Sequence, residues 1–97
     1  MPLNAVRPYL ICYDIADPRR LQRLHKLVSR EAVMVQYSVY YAELNANARD
    51  RLVTQLRAMC NPNLDDIRLY PLPQRTRVVL YGAHGIEDTL PGAYFAR

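Results

Sequence analysis

The feature that most limits how this chain can fold is the run Tyr9-Leu10-Ile11-Cys12-Tyr13, followed at once by Asp14 and then by Asp17-Pro18. Five apolar, β-prone residues in a row describe a strand covered on both faces, so the segment belongs in the interior of a sheet. Asp14 closes it. A charge there is tolerated only at an edge, beside a partner or on a metal ion. Asp17 offers an N-cap and Pro18 a first-turn proline for the helix that follows. A strand-end carboxylate next to a basic helix start is a place to hold a metal and a phosphate together, which points toward nucleic acid.

That helix is expected over 17–30. Leu21, Leu24 and Val28 stand three and four apart and form its core stripe. Arg19, Arg23, Lys26 and Arg30 recur at the same spacing on another face, Arg20 adds a further cation, and no acid follows the cap. The stretch 32–44 is rich in strand formers and reads as two antiparallel strands, 32–35 and 38–44, with a bend at Gln36-Tyr37-Ser38. Asn45 caps a second helix over 46–60 whose core side is Leu52, Val53, Leu56, Met59 and Cys60. Asn61-Pro62-Asn63 ends it. A strand over 65–72 alternates Ile67 and Leu69 with Arg68 and Tyr70, and Pro71 and Pro73 confine its end to a sheet edge. One more strand opens at Arg77 and runs to Tyr81, and the remainder reads as irregular apart from the apolar pair Tyr94-Phe95.

The order strand, helix, strand, strand, helix, strand is the split βαβ pattern of an α+β, ferredoxin-like fold. With 97 residues, one domain is expected: a short arm over 1–8, the domain over 9–82 and a tail over 83–97. Its extra strand lacks a place at its own edge, and adding it to the sheet of a second copy produces a homodimer. A hydrophobic share of 51% suits a small globular chain. No apolar run approaches the roughly 20 residues of a membrane span, and residues 1–8 carry no apolar signal core, so a cytoplasmic location is expected. Cys12 and Cys60 lack ligand neighbours at zinc spacing and read as buried thiols acting as small hydrophobes. The net charge of +4 favours a polyanionic partner, and all the basic residues but Lys26 are arginines, suited to bidentate phosphate contact.

Several of these patterns fall in a specific order: Tyr13-Asp14-Ile15, Asp17 with Arg19-Arg20, the run Val35 to Tyr40, Asn45, and Asp65-Asp66-Ile67-Arg68-Leu69-Tyr70-Pro71-Leu72. This series, covering about 9–81, resembles the CRISPR-associated protein 2 family, the small subunit of the machinery that adds spacers to CRISPR arrays. The resemblance implies a ferredoxin-like homodimer with its sheets packed together and the last strand completing the partner's sheet. It implies double-stranded DNA held beside an integrase subunit. It also implies magnesium-dependent endonuclease activity on single-stranded RNA or double-stranded DNA, uneven across the family. Met34 departs from the pattern where arginine or lysine is frequent, as does Tyr41 where glutamate is common.

By the same resemblance Asp14 is the metal-binding aspartate and Ser38 a residue positioning a phosphate or a metal-bound water. From the residues alone, Asp14 serves equally to accept backbone N–H groups at the helix start, and Ser38 to bond the backbone at a strand bend. Asp17 reads as a cap only. His25 and His84 have no acid partner at useful spacing for a histidine base. Arg19, Arg20, Arg23, Lys26 and Arg30, extended by Arg77, form the expected phosphate track, which reads charge rather than base sequence. Most of the eight tyrosines lie in strands, where they are expected to serve packing rather than base stacking. A stand-alone ribonuclease toxin resembling virulence-associated protein D is the alternative function.

Overall fold

In the computed structural model, which describes residues 5–75, 77–79 and 94–96, the buried strand of the sequence is β1, Arg7–Asp14. It begins two residues before the expected Tyr9, because Arg7 and Pro8 already pair with Leu44 and Glu43. Then follow α1 (Pro18–Val28), β2 (Ala32–Gln36), β3 (Val39–Leu44), α2 (Ala46–Met59) and β4 (Asp66–Pro71). These elements build a four-stranded sheet in the order β2-β3-β1-β4, and every pairing in it is antiparallel. β1 therefore sits between β3 and β4, as its apolar sequence requires. The fold is the expected ferredoxin-like α+β arrangement.

The period-2 alternation of β1 sends Tyr9, Ile11, Tyr13 and Ile15 toward the helices, where they meet Tyr40, Ala42 and Leu44 of β3. Leu24, Leu27 and Val28 of α1 and Leu52 and Leu56 of α2 close the other side of this core. Ile67 and Leu69 pack against it from β4. The opposite face of the sheet follows from the register: Leu10 opposite Tyr41 and Tyr70, Cys12 opposite Val39 and Arg68, and Asp14 opposite Asp66. Its middle is apolar and one end is charged.

Both helix starts are set by the residues the sequence nominates. Asp17 accepts the Arg20 N–H at 2.9 Å, with Pro18 in the first turn. Asn45 accepts the Ala48 N–H at 2.8 Å. Asn45→Ala should lower stability by about 1 kcal/mol, the usual worth of such a cap, readable as a lower urea midpoint at unchanged slope.

Beyond β4, β5 (Arg77–Val79) pairs in parallel with β6 (Tyr94–Ala96) in a separate two-stranded sheet. The apolar pair that stood out from the tail thus lies in a strand. Tyr94, Phe95 and Ala96 have the composition to pair, and they find Arg77, Val78 and Val79. The rest of the 83–97 tail, His84, and the expected strand end at 80–81 lie outside the described residues.

Candidate active site

Asp14 and Asp66 face each other across the β1–β4 pair, both exposed, at the charged end of the helix-free face. Like charges at directly opposed positions repel. One of the two is compensated: Arg68 donates from Nε to Asp66 at 3.0 Å. The Asp14 carboxylate has no such partner among the described residues. The helix-start N–H groups are not its ligands either, since Asp17 and Asp65 take them. The reading of Asp14 as a helix-start acceptor is therefore displaced by two other aspartates.

Ser38 reaches the same place by backbone geometry. The β1–β3 ladder continues past Cys12 and Val39 with the Tyr13 N–H donating to the Ser38 carbonyl at 3.1 Å. A bulge between Met34 and Gln36 shifts the register of β2, and Ser38 turns the chain with φ at 62°. That left-handed conformation is uncommon for a residue with a side chain and costs of order 1–3 kcal/mol. Among the described residues the Ser38 hydroxyl does not make the backbone bond expected of it at the bend; the Ser38 carbonyl makes the contact instead. Cys12, Tyr13, Asp14, Tyr37, Ser38, Val39, Asp66 and Arg68 enclose a shallow cavity of about 250 Å³. Asp14 and Ser38 are thus brought together as expected, and Asp66 and Arg68 join them.

The donor set suits a hard cation. Carboxylate and hydroxyl oxygens are what magnesium takes, usually with one or two carboxylates and retained waters. Burial pushes the Cys12 thiol up, so it stays protonated and is no competing soft ligand. Tyr13 is likewise held above the ordinary phenol range, first by burial and then by its hydrogen bond and charge coupling with Tyr40. Neither is a base. Among the described residues no group of three or more His, Cys, Asp or Glu side chains converges, so one copy offers two carboxylates and no complete metal cage.

The basic residues divide. Arg23, Lys26 and Arg30 line a groove of about 400 Å³ between the helices, with Leu27, Gln55, Ala58 and Met59. Arg19 is exposed at the start of α1. Arg20 turns away from them. Its Nε and Nη2 donate to Asp65 at 2.8 and 3.1 Å, and the Asp65 side chain is fully enclosed. Asp65 also accepts the N–H of Ala16 and of Asn61, each at 2.9 Å. The guanidinium and these backbone donors hold the Asp65 carboxyl well below the usual carboxylate range. Sequence reasoning missed this anchor. Its only trace was the Asp65-Asp66 doublet, whose residues do different work because the strand pairing sends them apart. Arg77 opens β5.

A scan against family models matches residues 7–78 to CRISPR associated protein Cas2. The chain belongs to the Cas2 family. Among its Cas2 relatives, the CRISPR-associated endoribonuclease Cas2 2 of Thermodesulfovibrio yellowstonii is 33% identical over 84 residues, spanning 87% of this chain and 89% of that one. The CRISPR-associated endoribonuclease Cas2 3 of Chloroflexus aurantiacus is 40% identical over 87 residues, spanning 88% and 92%. The crystal structure of a hypothetical protein from Thermus thermophilus superposes with a TM-score of 0.70 at 26% identity, covering 84% of this chain and 93% of that one. No helix among the described residues is long and apolar enough to cross a membrane.

Proposed function

We propose that this Cas2-family chain works as a homodimeric subunit of CRISPR adaptation that grips duplex DNA beside an integrase subunit. We further propose magnesium-dependent phosphodiester hydrolysis at Asp14, on single-stranded RNA or on duplex DNA; the relatives' name, endoribonuclease, supports RNA. The observation that carries this reading is Asp14 itself, a strand-end carboxylate without a protein partner among the described residues, beside a strained serine and a second carboxylate.

The helix-free face supports the dimer. Leu10, Cys12, Val39 and Tyr41 lie on it, and Tyr70 on the outer strand is 45% exposed. A second copy laid on this face would cover apolar surface and bring two sets of Asp14 and Asp66 toward one axis. The extra strand β5 would complete the partner's sheet. Four carboxylates then become available where one copy has two. When bound, magnesium supplies charge neutralisation at the phosphate and an activated water. Asp14 holds the ion, Ser38 positions a phosphate oxygen or water, and Arg68 keeps Asp66 in place.

Arg19, Arg23, Lys26 and Arg30 grip the phosphate backbone without reading base sequence. Arg20 contributes through Asp65, by fixing the start of α1 from which the others project. Arg77 extends the track from β5. Two such faces in a dimer make several phosphate contacts, so raising salt from about 50 to about 200 mM should weaken duplex DNA binding at least a hundredfold. Fluorescence anisotropy at a series of salt concentrations checks this, and affinity indifferent to salt would rule the phosphate grip out. No feature of the site favours the toxin alternative over adaptation.

A further inference from the structure

Resting on the phosphate-handling role above, we propose that the groove between α1 and the β2–β3 turn is a stacking subsite for an unpaired nucleobase, with Tyr37 as its platform. This groove, of about 560 Å³, is lined by Tyr13, Leu21, Gln22, His25, Lys26, Met34, Tyr37, Ser38 and Tyr40. That size lies within the range of small-ligand pockets. Its lining is mostly apolar and aromatic, with a few polar groups at hand.

Four tyrosines of the sheet serve packing: Tyr9, Tyr13, Tyr40 and Tyr41 are buried, and Tyr13 stacks on Tyr40 with ring centroids 5.8 Å apart, while Tyr70 on the outer strand is 45% exposed. Tyr37 is 76% exposed, the most exposed large hydrophobic side chain among the described residues. It stands beside Ser38, whose left-handed backbone fixes the turn. An aromatic ring presented on a strained, pinned turn contributes little to the core. It offers a π-face at low conformational cost.

Tyr13, Tyr37 and Ser38 line both this groove and the cavity of Asp14 and Asp66. Lys26 lines both this groove and the basic groove of Arg23 and Arg30. Three concavities thus form one track, running from carboxylates through aromatic rings to cations. A polyanion with a flat apolar unit at every repeat fits that sequence of environments, and a single nucleic-acid strand is such a ligand. A duplex keeps its bases stacked inside and has none to offer.

Tyr40 hydrogen-bonds His25 Nδ1 and meets its ring edge-on at a centroid distance of 5.7 Å. This contact holds the imidazole in place at the groove wall. Met34, 44% exposed, supplies a polarisable side chain at the same groove.

Three labelled probes test the assignment by anisotropy on the full chain: an oligouridylate of about ten nucleotides, the same backbone without bases, and a DNA duplex of equal length. Tyr37→Ala should weaken oligouridylate binding about tenfold, the scale of one lost base stack. Tyr37→Phe should stay within about twofold of the parent. Neither substitution should alter binding of the abasic strand or the duplex, and an oligodeoxythymidylate should behave as the oligouridylate does. Equal parental affinity for base-bearing and abasic strands overturns the subsite, as does Tyr37→Phe falling with Tyr37→Ala. Equal weakening of all three probes by Tyr37→Ala also overturns it. Intact duplex binding in those cases leaves the proposed function standing, whereas loss of duplex binding by the parent protein overturns that function itself.

Discussion

Asp14→Asn should reduce magnesium-dependent cleavage by roughly a hundred- to a thousandfold while leaving the folded protein at least as stable as before. The two halves of this expectation come from different physics. A metal ion at a phosphoryl centre is worth several kcal/mol of charge stabilisation in the transition state, and each 1.36 kcal/mol is a factor of ten in rate. An amide of nearly the same shape cannot supply the negative charge that holds the ion. The stability half follows from the strand register. Asp14 lies directly opposite Asp66, and relieving a like-charge cross-strand pair stabilises by a few tenths of a kcal/mol. Asp14 has no partner among the described residues whose loss would offset that gain. A urea titration beside a cleavage assay separates the two. Cleavage persisting in the variant, or a clear loss of stability, would remove Asp14 from its proposed role.

The framework around Asp14 was legible because its signals are local. Asp17-Pro18 and Asn45 mark helix starts through contacts within three residues, and the structure keeps both contacts. The apolar run of β1 declared a central strand, and β1 is central. What escaped the sequence depends on pairing between distant segments. Asp65 and Asp66 look alike in the chain. Yet β4 runs antiparallel to β1, which puts Asp66 against Asp14 on the helix-free face and Asp65 beneath the start of α1. Helical spacing likewise grouped Arg20 with its cationic neighbours, since periodicity cannot say which arginine a buried acid will capture. The left-handed Ser38 carries no glycine to announce it. Tyr37 was hidden for a related reason. A tyrosine between two strands is indistinguishable by type from the packing tyrosines on either side, and the bulge in β2 separates it from them.

The capture of Arg20 leads to the second large effect, which concerns stability rather than chemistry. Asp65→Ala should lower the melting temperature by roughly 10–20 °C, because removing one member of an enclosed, multiply bonded ion pair leaves the other charge and two backbone donors without their acceptor. Arg20 loses a bidentate partner, and the N–H groups of Ala16 and Asn61 lose theirs. The pH dependence has a definite sign. The Asp65 carboxyl is held below its ordinary value of 3.8, first by the Arg20 hydrogen bonds and then by the backbone donor at Asn61. A group whose folded-state value is depressed contributes its full stabilisation above its unfolded-state value. That contribution fades as the pH falls through the ordinary carboxylate range toward the lower folded value. The parent protein should therefore lose stability on acidification below about pH 5 more steeply than Asp65→Ala, and the two melting curves should converge at low pH. Parallel acid limbs in the two proteins would show that Asp65 titrates as an ordinary carboxylate. Arg20 would then be free to join the phosphate track after all, and Arg20→Ala would weaken duplex binding without lowering the melting temperature.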